Sequence, residues 1–238
     1  TELGSRIAEV HNGSSLFTGD AGQGESNARR YMIENDLVEA IIALPDNMFY
    51  NTGIGTFIWI LSNNKAEHRK GKIQLIDATS LKSPLRKNLG KKNCEFTSEI
   101  RRQILDLYMA FEENEYSKIF DNNEFGYWKV TVLRPAYNED GSIQKDKKGK
   151  PVVNKELTDT EQIPFTYEGG IEAFFEKEVK PFAPDAWIDE KQTKIGYEIS
   201  FTKYFYKPIQ IRTLEEITAD IRSLEEETDG LLAEIIGG

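Results

Sequence analysis

Hydrophobic residues in the first third of the chain recur at spacings typical of strands and of a helix. Arg6–Val10 alternates, and three apolar runs bounded by turn residues, 38–44, 55–61 and 72–76, have the composition of buried strands. Glu25–Asn35 carries apolar residues at helical spacing, which predicts an amphipathic helix. A strand, a helix and further strands in this order predict an α/β sheet.

The pattern changes after residue 80. Thr97–Phe111 has one continuous apolar stripe at helical spacing, and 170–179 predicts a second, shorter helix. Residues 127–133 and 151–153 enclose a polar stretch with two glycine turns, which predicts an exposed hairpin arm. We therefore expect a sheet-containing domain over residues 1–80 and a mixed α+β region over 81–212.

The end of the chain, residues 213–238, has the most regular pattern. Thr213 and Glu216 have the spacing of a capping box at a helix start. Apolar residues then follow heptad spacing, which favours a helical docking partner, from this chain or another, over packing on one domain. The predicted docking residues of this coiled-coil-type helix are Leu214, Ile217, Ile221, Leu224, Leu231 and Ile235.

Composition limits the classes of site. The 238 residues are 39% hydrophobic, ordinary for a globular protein, and contain no apolar run long enough to span a membrane. Cys94 is the single cysteine, which excludes an internal disulfide and fits a reducing, cytoplasmic location. His11 and His68 are the only histidines, so we expect no metal site.

The net charge of −10 is unevenly distributed. Residues 213–238 contain eight acids and one arginine, a net of −7, whereas residues 65–102 contain eleven bases and four acids, a net of +7. The basic segment could therefore face phosphate. A solvated lysine-rich surface explains the charge equally well.

The chain contains no nucleophile elbow and no phosphate-binding loop, so the motifs indicate no complete active site. Gly19–Gly24 is rich in glycine but does not match either common phosphate fingerprint. The informative stretch is the loop between the runs 38–44 and 55–61, which carries Phe49 and Tyr50. These rings either fold back into the core or form a platform on which a flat ligand stacks.

Residues 38–65 resemble the eighth conserved motif of adenine-N6 DNA methyltransferases. The chain is most similar to the modification subunit of type I restriction-modification systems. The resemblance extends over nearly the whole chain, through residues 29–37, 125–127, 184–189, 194–199 and 212–217.

The resemblance implies a Rossmann-like sheet in which Val38–Leu44 and Gly55–Leu61 form the last, antiparallel hairpin, and Arg6–Val10 is the preceding parallel strand. It implies that Phe49, with Tyr50 as a weaker candidate, packs against an adenine extruded from DNA. It also implies S-adenosylmethionine as the cofactor of the parent protein. The chain has no Pro-Pro pair and lacks the glycine-containing cofactor turn of the family, so we expect it alone to bind the cofactor weakly and to be inactive.

The resemblance further implies three partners: double-stranded DNA, a specificity subunit that docks on the terminal helix, and a restriction subunit. The basic residues expected to contact DNA phosphates are Lys70, Lys72, Arg86, Lys87, Lys91 and Lys92. One alternative is a non-catalytic module for subunit docking and DNA binding. Another is an unrelated α/β enzyme whose site lies in the Asn12–Gly24 loop.

Overall fold

The computed structural model describes residues 4–206 and 213–236. These residues divide into two compact units, one extending to Phe205 and the other beginning at Tyr206. The first unit is a mixed α/β structure, as expected from the sequence. Its elements are β1 (Arg6–Asn12), α1 (Ser14–Phe17), α2 (Gly24–Glu34), β2 (Val38–Leu44), β3 (Thr56–Ser62), β4 (Lys72–Asp77), β5 (Ser83–Leu89), β6 (Lys92–Glu95), α3 (Ser98–Ala110), β7 (Ser117–Asp121), β8 (Gly126–Leu133), β9 (Asp159–Pro164), α4 (Gly170–Phe174), β10 (Trp187–Tyr197) and α5 (Phe201–Phe205).

The main sheet has five strands in the order β1-β3-β2-β4-β7. β2 pairs in parallel with β4 and antiparallel with β3, and β1 is also antiparallel to β3. The predicted antiparallel hairpin, β2 and β3, is therefore confirmed. β1 runs in the same direction as β2 but is separated from it by β3.

β2 is buried along its whole length because helices cover both faces of the sheet. On one face, Ile41 packs in a cluster with Ile33 of α2 and Trp59 of β3. On the other face, Ile42 packs with Ile104 of α3. The helices predicted over 25–35 and 97–111 are confirmed with one-residue shifts at their ends, whereas 170–179 is α-helical to Phe174 and π-helical over Phe175–Val179. The longer of these helices starts at an N-cap, Thr97, whose side chain accepts from the Ile100 amide.

The edge strand β1 differs from β2 in burial. Every residue of β1 is exposed, and Ile7 and Val10 are 50% and 53% exposed. In the described part of the chain, β1 pairs with β3 and with no other strand. β1 is thus an open edge of the sheet, and it carries exposed apolar side chains.

A second sheet, in the order β10-β8-β9, packs against α2. Glycines make its strand pairing possible. A Cβ on Gly196 would overlap the ring of Tyr127, its partner across the strands, and a Cβ on Gly126 would overlap the ring of Phe165. Each glycine therefore leaves room for an aromatic ring to lie over the backbone.

The predicted arm after β8 is confirmed as an exposed structure of bridged pairs. Pro135 pairs with Val153, and Tyr137 pairs with Ile143. Asp185 fixes the base of the arm, since it accepts from Arg134 Nε and from the Tyr137 hydroxyl, each at 3.0 Å. The arm is therefore anchored at its base and exposed along its length.

The second unit contains α6 (Leu214–Ile236). The predicted capping box is confirmed: the Thr213 amide donates to Glu216 Oε2 at 2.8 Å, and the Glu216 amide donates to Thr213 Oγ1 at 3.2 Å. Leu214, Ile217, Ile221 and Leu224 are exposed. The side chains of Leu231 and Ile235 lie outside the described residues.

Candidate functional site

The predicted aromatic loop, residues 45–55, connects β2 to β3 and lies at one edge of the main sheet. Leu44, at the end of β2, and Asn12, at the end of β1, both pair with Thr56 at the start of β3. β1, β2 and β4 run in the same direction, so their carboxyl ends share this edge. In open α/β sheets, ligands bind outside the carboxyl ends of parallel strands.

Both aromatic side chains of this loop are accessible. Phe49 is 37% exposed, and Tyr50 is 59% exposed. A bridge between Phe49 and Thr52 closes the loop on itself, and Asn47 adopts a positive φ of 58° that turns the chain at the start. The rings do not fold back into the core, so a flat ligand could reach them.

A hairpin made of β5 and β6 is bound to this loop through the main chain. The Lys91 amide donates to the Tyr50 carbonyl at 2.9 Å, and the Asn93 amide donates to the Asn47 carbonyl at 3.1 Å. Gly90, at φ 64°, allows the close approach, since a Cβ there would lie 2.7 Å from the Tyr50 oxygen. The aromatic loop is therefore held on both sides of Phe49.

Two side chains of β6 add to this attachment. Lys92 donates to the carbonyls of Met48, at 2.9 Å, and Cys94, at 2.8 Å. The buried Cys94 thiol lies 3.4 Å from the Asp46 carbonyl. Sequence patterns did not identify β5 and β6, because this polar hairpin has neither a hydrophobic run nor a clear alternation.

The hairpin places four of the six predicted phosphate contacts next to the aromatic loop. Arg86, Lys87 and Lys91 are exposed, and Lys92 is half-buried. The remaining two residues, Lys70 and Lys72, lie at the amino end of β4. The aromatic loop lies at the opposite ends of the strands, so these two lysines are far from it along the strand direction.

Lys70 and Lys72 are also paired with carboxylates. Lys70 Nζ lies 2.7 Å from Glu67, and Lys72 Nζ lies 2.9 Å from Asp121. A hydrogen bond from each ammonium to its carboxylate raises the pKa of both lysines. Both remain charged at neutral pH, but each would have to exchange its carboxylate for a phosphate.

The Asn12–Gly24 stretch, proposed as an alternative site, is largely exposed but is anchored at Asp20 and Ala21. Ala21 is fully buried, and both carboxylate oxygens of Asp20 accept from Lys129 Nζ at 2.8 Å. The hydrogen bond from Lys129 lowers the pKa of Asp20. The acid is therefore occupied in holding the turn against β8.

A cavity of about 190 Å³ lies between β1, β3 and α2, lined by Glu9, His11, Arg29 and Trp59 among others. Cofactor pockets are roughly 300–1,000 Å³. The Arg29 guanidinium is already engaged, since it donates to the Tyr197 carbonyl at 2.7 Å and to the Ser15 carbonyl at 3.1 Å. This cavity does not fit a nucleoside cofactor such as S-adenosylmethionine.

Across the described ranges, no cluster of histidine, cysteine and carboxylate side chains could hold a metal ion. No helix in these ranges is both long and apolar enough to cross a membrane.

Comparison with known proteins adds a family. A family model described as N-6 DNA Methylase matches residues 1–131 of the chain. The type I restriction enzyme MjaIX methylase subunit of Methanocaldococcus jannaschii is 34% identical over 114 residues, covering 48% of this chain and 19% of that protein. The type I restriction enzyme HindI methylase subunit of Haemophilus influenzae is 28% identical over 140 residues, covering 55% of this chain and 29% of that protein.

Among solved structures, a type I restriction-modification system methyltransferase subunit from Streptococcus thermophilus is similar, with 26% identity and a TM-score of 0.43. The match covers 50% of this chain and 24% of that one. The chain thus matches less than a third of the length of each of these relatives.

Proposed function

Since the chain belongs to the N-6 DNA Methylase family, we propose that it is part of the modification subunit of a type I restriction-modification system. The parent protein transfers a methyl group from S-adenosylmethionine to the N6 atom of adenine in DNA. The relatives that are named as type I methylase subunits support this proposal. The chain matches less than a third of each relative, which supports a chain that performs only some of the steps of the methyl transfer.

The accessible aromatic loop is the observation on which the proposal rests. An enzyme that modifies a base must extrude it from the helix, and stacking on an aromatic ring offsets part of the cost. Phe49 would stack on the extruded adenine, with Tyr50 as the second candidate. The loop's position beyond the carboxyl ends of β1, β2 and β4 supports this role.

Arg86, Lys87 and Lys91 would contact the phosphates that flank the extruded base. Their exposed side chains belong to the hairpin that is hydrogen-bonded to the aromatic loop. Each phosphate contact should contribute about 0.9 to the slope of log binding constant against log salt. Lys70 and Lys72 would contribute at the other edge of the sheet, after leaving their carboxylate partners.

The cofactor and the groups that orient the adenine amino group would come from the rest of the longer parent protein. The cavity beside α2 is small for S-adenosylmethionine, and its arginine is already engaged. The chain's own contribution is therefore to hold the adenine and the DNA backbone. The sheet of the parent protein would be Rossmann-like. Further strands of that sheet would pair with the edge strand β1.

The terminal helix would dock the specificity subunit, and the restriction subunit would join the same assembly on double-stranded DNA. Leu214, Ile221 and Leu224 are 82%, 52% and 62% exposed, so the described part of the heptad seam is accessible. Its partner should be helical and carry basic side chains, because the sequence from 213 to 238 has a net charge of −7.

The central experiment is methyl transfer by the parent enzyme with Phe49→Ala. Loss of one stacked base contact is about 1–3 kcal/mol, so kcat/KM should fall by roughly 5- to 150-fold. Phe182→Ala is the matched control, since Phe182 is exposed and lies beside the second sheet rather than in the aromatic loop. Full activity of the Phe49 variant would remove Phe49 from the mechanism.

The exposed heptad seam also favours a second candidate function, a non-catalytic module that docks a subunit and binds DNA. Replacing Ile221 and Leu224 by Asp should abolish pull-down of the specificity subunit if the seam is the docking surface. Unchanged pull-down would exclude this role of the seam. A parent enzyme that transfers methyl groups would favour the methyltransferase proposal, and a parent that does not would favour the non-catalytic module.

A further inference from the structure

Lys92 makes contacts that differ from those of the other basic residues of the hairpin. Its ammonium group donates to two main-chain carbonyls, those of Met48 in the aromatic loop and Cys94 in its own strand. These bonds use two of the three donors of the ammonium group. Lys91, one residue earlier, has an exposed side chain.

Hydrogen bonds from the hairpin reach residues both before and after Phe49 in the chain. The carbonyls of Asn47, Met48 and Tyr50 accept from the Asn93 amide, the Lys92 ammonium group and the Lys91 amide, respectively. The backbone on both sides of Phe49 is therefore fixed by β6 and the turn before it. The direction of a side chain follows from its backbone dihedral angles, so these bonds restrict where the ring can point.

We propose that Lys92 is a positioning residue, which holds the aromatic loop so that Phe49 faces the extruded adenine, rather than a phosphate contact. This inference rests on the proposed function. The ammonium group has one donor left and its side chain is half-buried, so a close phosphate contact would compete with the two carbonyls that it holds. Lys91 can reach a phosphate without releasing any of its main-chain bonds, so the two neighbouring lysines have different roles.

The first test measures the attachment of the hairpin to the loop in the 238-residue chain without DNA. The amides of Lys91 and Asn93 donate to the loop, so their hydrogen exchange, followed by NMR, reports its release. Lys92→Met should speed both exchanges about tenfold or more, because hydrogen bonds from charged donors are the stronger class. Lys91→Met, which removes the same charge, should leave the Asn93 amide unchanged.

Gly90→Ala provides a variant that does not alter charge. Its Cβ would meet the Tyr50 oxygen, so it should also speed exchange at Asn93. Lys92→Arg retains the charge and the donors and should restore part of the protection. Unchanged exchange in Lys92→Met would overturn the proposal.

The second test uses the parent methyltransferase with its specificity subunit. A duplex with 2-aminopurine in place of the target adenine reports binding and fluorescence, and the same duplex with adenine reports methyl transfer. Lys91→Met should lower the salt slope of binding by about 0.9. Lys92→Met should leave the slope unchanged, reduce the 2-aminopurine fluorescence and lower kcat more than it changes KM. An equal loss of salt slope in both variants would make Lys92 a phosphate contact and overturn the proposal.

Phe49→Ala separates this inference from the proposed function. If that variant keeps full activity and the full 2-aminopurine signal, the stacking role fails. The exchange experiment would still show whether Lys92 holds the loop. If exchange is unchanged in Lys92→Met while Phe49→Ala is inactive, the proposed function survives and the positioning role fails.

Discussion

A buried carboxylate in β2 offers the sharpest test of how the main sheet is held together. Glu39 is 1% exposed, although its neighbours in the strand are aliphatic. It accepts from Arg6 Nε of β1 at 2.9 Å, and Arg69 Nε lies 3.7 Å from its second oxygen. Two arginines from separate segments therefore meet at one carboxylate.

Arg69 depends on this carboxylate because it is itself 4% exposed. Its guanidinium group lies 4.4 Å from the ring centre of Tyr108 and 4.3 Å from that of Phe111. It also donates to Gln74 Oε1 at 3.1 Å. Burial is the main cause of a raised pKa at Tyr108, and its hydrogen bond with Glu39 is the second. The phenol therefore stays protonated and is part of the same buried cluster as Glu39 and Arg69.

Glu39→Ala should destabilise the first unit by about 3–5 kcal/mol, the usual cost of leaving a buried charge without its partner. Arg6→Ala should cost only about 1 kcal/mol or less, since the Arg6 side chain is 57% exposed and solvent screens its charge. Urea unfolding followed by circular dichroism measures both values. The cost of Glu39→Ala should fall when Arg69 is replaced by Met in the same chain.

Glu9→Ala is the matched control, because Glu9 is an exposed glutamate in β1. It should change the free energy of unfolding by less than about 0.5 kcal/mol. A cost below about 1 kcal/mol for Glu39→Ala, with unchanged urea dependence, would refute the view that the carboxylate neutralises Arg69. It would mean that water or a rearranged side chain compensates the charge.

Three further predictions concern the second sheet and the hairpin. Burial raises the pKa of Tyr197 to about 12, from the ordinary value of about 10, so the native state holds its proton longer than the unfolded state does. The free energy of unfolding should therefore fall as the pH rises from about 10 towards 12, and Tyr197→Phe should flatten this dependence. Gly196→Ala should cost about 1–3 kcal/mol in urea unfolding, because its Cβ would overlap the Tyr127 ring. Cys94 is 2% exposed, so a thiol reagent should modify it about 100-fold more slowly in buffer than in urea; equal rates would show that the hairpin is detached.

The strands of the main sheet could be predicted because their signal is local. Residues 38–44 are apolar except for Glu39, and the strand they make is buried on both faces. The capping box at Thr213 and Glu216 is equally local, since both partners lie within one helical turn. The pairing of β7 with β4 could not be predicted in this way, because Ser117–Asp121 has a mixed composition.

The candidate site was predicted only in part, for a related reason. The sequence identifies Phe49 and Tyr50 as unusual for a polar loop, and it identifies an excess of lysine over residues 65–102. It does not distinguish Lys91 from Lys92, since both are lysines in one polar segment. Their difference arises from a tertiary contact, in which one side chain points at the Met48 carbonyl 44 residues earlier.

The segments that carry the family resemblance are far apart in the chain but meet in the structure. Arg29 of α2 is 2% exposed, and its guanidinium group donates to the Tyr197 carbonyl in β10. The Tyr197 amide in turn donates to the Ser26 hydroxyl. If the chain ended at residue 131, where the match to the family model ends, this buried guanidinium group would lose an acceptor. The second sheet therefore stabilises α2, which packs beside β1 and β3 of the main sheet. The packing of α2 depends on contacts with both sheets.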